Sequence, residues 1–126
     1  MSVPVDLSEL ATVLTEYRFA YLLSNAGDRP PHAVAVTPTL GNGVLTVEGL
    51  GHRTVDNIAA YPGVCLLWPP TAVDGYSLIV DCWATLDGAV VTLAPERAVL
   101  HRPAPALGAD SSCGSDCVDL PVRASL

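Results

Sequence analysis

Short apolar runs separated by glycine and proline clusters make up most of the chain, and they predict strands with brief helical interruptions. Leu7, Leu10, Ala11 and Leu14 fall on one stripe behind Asp6 or Ser8 as cap, with Glu9 early in the first turn. That spacing predicts an N-terminal helix lying over an open end or face of a sheet. Tyr17 to Ser24 is dense in aromatic and aliphatic residues and stops at Asn25-Ala26-Gly27-Asp28-Arg29-Pro30-Pro31, a strand feeding a hairpin connection. His32 to Leu40 alternates, with His32, Val34 and Val36 on one face and Pro38 marking an edge or bulge. Gly41-Asn42-Gly43 then turns the chain into a third strand, Val44 to Glu48.

After the Gly49-Leu50-Gly51 loop, a helix is expected from about Arg53 to Ala60, stopped at Tyr61-Pro62-Gly63. Val64 to Trp68 reads as a fully apolar strand ended by Pro69-Pro70, and Tyr76 to Leu86 as the longest strand. A tight Asp87-Gly88 turn leads into Ala89 to Leu93, and a final strand runs near Glu96 to His101. The expected division is a domain over 1–102, N-terminal helix included, and an irregular tail over 103–126 carrying Cys113 and Cys117. Six or seven short antiparallel strands with two short helices define a mainly β fold. They suit a small barrel, because closure removes exposed edges.

Composition sharpens this picture. At 126 residues the chain fits one core, yet half of its residues are hydrophobic and mean hydropathy is +0.40. No apolar run approaches the roughly 20 residues that a membrane span needs. A subunit interface is the natural place for the apolar excess, so a homodimer is expected. The net charge of −7 comes with six arginines and no lysine, which argues against nucleic acid and anionic membranes as partners and excludes Schiff-base chemistry. Met1 to Asp6 lacks a basic segment followed by an apolar core, so a cytoplasmic protein is expected. Cys65 and Cys82 sit in apolar runs and read as inert buried thiols.

Candidate chemistry concentrates at Gly51-His52-Arg53-Thr54, where amide groups and a guanidinium converge on one helix start, a site for an anion such as phosphate. Arg53 is either that ligand or a first-turn arginine paired with Asp56 or Glu48. His52 is either a donor to the same anion or a solvated loop histidine. His32 and His101, at strand ends, either face a substrate cleft or are simply solvated, and Trp68 reads as packing. Asp81 lies among apolar residues, which costs energy unless it is paired, hydrogen-bonded or at a barrel rim; a structural partner such as an arginine is expected over a catalytic role. The three-residue spacing of Cys113 and Cys117 allows a disulfide, a redox pair, half a metal site or two ordinary thiols; no metal is expected.

The segments Phe19-Ala20-Tyr21-Leu22-Leu23-Ser24, Arg29-Pro30-Pro31-His32-Ala33-Val34-Ala35-Val36, Gly51-His52-Arg53-Thr54 through Asn57-Ile58, Pro62-Gly63-Val64 and Tyr76-Ser77-Leu78-Ile79-Val80 follow each other in an order and spacing that resembles a known family. That family is the FMN-binding split barrels, the pyridoxamine 5'-phosphate oxidase-like proteins with their flavin- or deazaflavin-dependent oxidoreductase relatives. The resemblance implies a homodimeric Greek-key split barrel with its cofactor, FMN or alternatively a deazaflavin coenzyme, in clefts between subunits. It implies that Arg53 and the helix start at Thr54 meet the cofactor phosphate with His52 beside them, that Asn57 supports them, and that Ser24, Val36 and Thr37 lie near the ring system. Hydride transfer to or from a small-molecule substrate would then occur at the cofactor, with no dedicated catalytic acid or base. Cys82 stands where relatives commonly have glycine, and no basic cluster is evident for the phosphate of pyridoxamine phosphate itself, so that founding activity is not expected. Two alternatives of a different class are a cofactor-free binding or scaffold barrel, its cleft filled by Cys82 and Trp83, and a thiol-based redox sensor using Cys113 and Cys117.

Overall fold

The computed structural model describes residues 1–104. The expected tail, with Cys113 and Cys117, falls outside the described residues apart from its first two positions. Eight strands, β1 (Ser2–Val5), β2 (Ala20–Ser24), β3 (His32–Val36), β4 (Thr39–Gly41), β5 (Val44–Val47), β6 (Gly63–Trp68), β7 (Ser77–Asp87) and β8 (Val90–His101), form one sheet. Its order is β3-β2-β6-β7-β8-β5-β4, with β1 also paired to β8, and every pairing is antiparallel. Two short helices complete it, α1 (Leu10–Leu14) after a 3-10 turn at Leu7–Glu9, and α2 (His52–Ala60).

Chain connectivity forces this sheet to curl. The strands at the two ends of the hydrogen-bonded path, β3 and β4, are separated in sequence only by Thr37 and Pro38, so the ends must lie close together. They do not pair with each other, which leaves the barrel split along that seam. Inward-facing Leu22, Leu45, Leu66, Leu78, Val80 and Leu93 are fully buried, each contributing roughly 1.5–3 kcal/mol. Leu10 closes one side of this core and Ile58 of α2 another. Asp6 caps the N-terminal turn, accepting from the Ser8 amide at 3.0 Å and the Ser8 hydroxyl at 2.8 Å, and these bonds lower its pKa.

The strand expectations hold in type, but there are eight strands in place of six or seven, and β2 starts at Ala20 and not at Tyr17. Pro38 ends β3 outright, so His32 to Leu40 is two strands. Ala89 to Leu93 and Glu96 to His101 are one strand, because Arg97 pairs with Asp81 and Pro95 with Cys82, leaving Glu96 as the extra residue of a bulge. A proline that reads as a strand end is tolerated there. Finally, Ser2–Val5 is a strand that the sequence pattern does not announce, since Pro4 breaks it and its partner is residues 98–101. No helix among the described residues is long and apolar enough to cross a membrane.

Candidate functional site

Two glycines build the entrance to α2. Gly49 adopts φ +74°, a conformation that costs an L side chain energy, and Gly51 occupies the N-cap in an extended conformation without offering any side-chain cap. The amide of Val55 is the first to find a helical acceptor, the Gly51 carbonyl at 3.2 Å. The amides of His52, Arg53 and Thr54 therefore start the helix without intrahelical acceptors, at the positive end of its dipole. His52 and Arg53 are exposed there, whereas Thr54 is 1% exposed, so Thr54 offers a ligand its backbone and not its side chain.

A groove of about 700 Å³ opens along the split seam and runs up to Gly51. Val36 and Thr37 lie on the β3 side, the paired Thr39 and Thr46 with Val47 on the β4–β5 side, and Glu48 to Gly51 form the end next to α2. Of the expected site residues, Val36 and Thr37 line this groove, and His52, Arg53 and Thr54 begin the helix immediately beyond it. The threonine pair was not anticipated, although its signal is present in the sequence. Asn42 and Gly43 both have positive φ, forming a two-residue turn that sets Thr39 opposite Thr46.

The other two expected residues are spent inside the protein. Asn57 and Ser24 are 1% and 3% exposed, and the Asn57 amide donates to the Ser24 hydroxyl at 3.1 Å. Asn57 in turn accepts from the Arg29 guanidinium at 3.0 Å, and Arg53 donates to the Pro30 carbonyl at 3.2 Å. The β2–β3 loop thus lies antiparallel along α2, with Pro30 at Arg53, Arg29 at Asn57 and Gly27 at Tyr61. Neither Asp56 nor Glu48 forms an ion pair with Arg53; the ion pairs among the described residues are Asp28–Arg29 and Asp81–Arg97. Ser24 stands apart from Val36 and Thr37. It borders a different groove on the outer face of the sheet and lies outside the seam.

That second groove, about 420 Å³, is framed by Leu23, Gly63, Cys65, Asp81, Trp83 and Glu96. Asp81 meets Arg97 at 3.7 Å, an ion pair on the exposed outer face of the sheet, where such pairs contribute little to stability. Trp83 is 52% exposed and points outward while Cys82 is 2% exposed and points inward, and neither lines the seam groove. Burial, reinforced by Asp81, pushes the Cys65 thiol up to about 11, and burial with nearby Cys65, Asp81 and Glu96 pushes Cys82 up to about 12. Both are free thiols that stay protonated at neutral pH. His32 is half-buried at the start of β3, and His101 is exposed with its Nδ1 3.2 Å from the Ser2 hydroxyl. The described residues contain no cluster of three or more metal-ligating side chains.

No family model matches the chain. Uncharacterized proteins of Mycobacterium bovis and Mycobacterium tuberculosis are each 39% identical to it over 132 residues, covering 90% of this chain and 93% of the relative. Among solved structures, a candidate pyridoxamine 5'-phosphate oxidase from Listeria innocua superposes with a TM-score of 0.61 at 18% identity, covering 75% of this chain and 96% of its own. An FAD-binding protein from Mesorhizobium loti gives 0.62 at 14% identity over 81% of this chain and 99% of its own. An F420 reductase gives 0.56 at 14% identity over 69% and 93%. By sequence the chain belongs to one family with the two mycobacterial proteins, and by fold it is a split barrel of the pyridoxamine 5'-phosphate oxidase-like kind.

Proposed function

We propose that the chain is one subunit of a cytoplasmic homodimer that binds FMN, or alternatively a deazaflavin coenzyme, in the seam groove and transfers hydride to or from a small molecule. One observation carries this reading: a groove large enough for a tricyclic ring and its side chain ends at a helix start with three unmatched amides and an exposed arginine. The residues present fit such a group. A Cβ at Gly49 or Gly51 would meet nothing within 4 Å, so the approach to the helix is open, and the groove is clear of Trp83 and Cys82.

A bound flavin or deazaflavin supplies the hydride chemistry at its own ring. The chain's residues bind and orient it. The amides of His52, Arg53 and Thr54 and the Arg53 guanidinium take the phosphate, with His52 as a further donor. Val36 supplies apolar surface, and the hydroxyls of Thr37, Thr39 and Thr46 meet polar edges. Asn57 and Ser24 act from beneath, holding Arg29 and the β2–β3 loop against α2.

The dimer reading rests on the outer face of β2, β6 and β7. Tyr21 and Trp83 are exposed there and Leu23, Leu67 and Ile79 are half-buried, a largely apolar surface interrupted by the Asp81–Arg97 pair, of the kind a second subunit covers. Unpaired Cys65 and Cys82 agree with a reducing compartment. The test is titration of wild type and Arg53→Ala with FMN and with F420, followed by visible absorbance. Arg53→Ala is expected to lose at least tenfold in affinity, about 1.5–3 kcal/mol. Failure of wild type to bind either cofactor overturns the proposal.

A further inference from the structure

We propose that Glu48 sets the ligand specificity of the seam groove: its carboxylate accepts hydrogen bonds from a neutral or cationic, donor-bearing stretch of the bound molecule and turns away molecules that carry further negative charge at that point. This deepens the cofactor reading and rests on it.

Glu48 follows β5 directly, is exposed, and is one of the residues that line the groove. It is the only ionisable side chain among the residues lining that groove. Three residues, Gly49 to Gly51, separate it from the start of α2. The cation that stands nearest in sequence, Arg53, is engaged with the Pro30 carbonyl, and no cation lies within 4.0 Å of Glu48 among the described residues.

A carboxylate can only accept, so whatever lies against Glu48 must donate. The threonine hydroxyls on the other walls both donate and accept, and they impose no such sign. The groove therefore has a polarity along its length: an anion-seeking end at α2, then an anion-refusing carboxylate, then neutral hydroxyls. A ligand that matches this order carries its phosphate at one end and hydroxyl or amine donors next to it. A ligand with additional acidic groups beyond the phosphate meets Glu48 unfavourably.

The experiment compares wild type with Glu48→Gln, a substitution that keeps shape and an acceptor oxygen while removing the charge, using three probes: inorganic phosphate alone, riboflavin and FMN. Glu48→Gln is expected to bind phosphate roughly three- to fivefold tighter, a gain that shrinks as salt is raised. Riboflavin, which has no phosphate, is expected to bind about threefold or more weaker, because its hydroxyls lose a charge-assisted acceptor. FMN, carrying both parts, should change less than either. Opposite signs for phosphate and riboflavin support the assignment, and shifts in the same direction or no shift overturn it. If wild type binds neither riboflavin nor FMN while phosphate still responds to Glu48→Gln, the cofactor reading fails and the charge effect stands. If phosphate affinity is the same in both proteins, the role of Glu48 fails whatever the flavins do.

Discussion

The two grooves on this molecule are made of different materials. The seam groove sets threonine hydroxyls, glycine backbone and one carboxylate among aliphatic residues such as Val36 and Leu50, and it ends at amides with no helical acceptor. The outer groove is lined by half-buried Leu23 and Cys65 beside an exposed Trp83, and of its two carboxylates, Asp81 and Glu96, Asp81 has a counter-ion in Arg97. Unmet hydrogen-bonding capacity points to a small polar ligand, since amides aligned at a helix end gain from an anion. Apolar area with polar groups at its margin points to another protein surface, where burial dominates. A barrel that is split rather than closed produces both at once, a seam of strand edges and loop backbone in one place and a paired strand face in another.

The sharpest way to break this contrast is to remove the support beneath the polar site. Asn57→Leu leaves the Ser24 hydroxyl and the Arg29 guanidinium without their shared partner in a buried place. We expect a stability loss of about 2–4 kcal/mol by urea unfolding. If the loss stays below about 1 kcal/mol, the loop and helix are not joined through this residue. The next effect is at Gly27→Ala, where φ is +88° and a Cβ would stand 2.9 Å from Tyr61 Cε2. We expect about 1–2 kcal/mol of destabilisation, part of it recovered when Tyr61→Ala is added, because the aromatic contact goes and the backbone strain remains.

These contacts also mark the limit of what the sequence displays. The helix α2, its glycine entrance and the Thr39–Thr46 register are written locally, in residue spacing and in one Asn-Gly turn. The partners of Arg53 and Arg29 are not, because they lie 23 and 28 residues away and depend on the β2–β3 loop lying along the helix. From sequence alone Glu48 and Asp56 were the nearest candidates for Arg53, and a loop carbonyl competed successfully with both. Strand β1 is hidden for the same reason, since Ser2 pairs with His101 across nearly the whole described chain. Asp81 does have an arginine partner, yet strand alternation sends it to the outer face, where its side chain is 49% exposed and the apolar neighbours in sequence do not surround it.

On the outer face, Trp83→Ser tests the other half of the contrast. The side chain is 52% exposed, so the isolated subunit should lose no more than about 0.5–1 kcal/mol of stability. A dimer resting on that face should dissociate at least tenfold more readily by sedimentation at low concentration, as expected for a buried tryptophan anchor. FMN or F420 affinity measured on subunits of equal oligomeric state should stay unchanged. An unaltered dimer would move the interface elsewhere on the molecule.

The smallest effect at neutral pH concerns the two thiols, and its sign follows from burial. With Cys65 raised from 9.0 to about 11 and Cys82 to about 12, the folded protein holds these protons more tightly than the unfolded chain. Their contribution to stability is therefore complete below about pH 9 and is lost as pH rises through 11 and 12. At pH 8 the thiolate population at Cys65 should be about a hundredfold below that of an ordinary cysteine, a difference of two pKa units. Alkylation by iodoacetamide, followed by peptide mass mapping so that each cysteine is read separately, should label Cys65 and Cys82 at least that much more slowly than a free thiol peptide. Cys65 should lead, being half-buried where Cys82 is 2% exposed. Rapid labelling of Cys65 would mean that the outer groove holds a reactive thiolate, and its likeness to a plain protein-docking surface would then be lost.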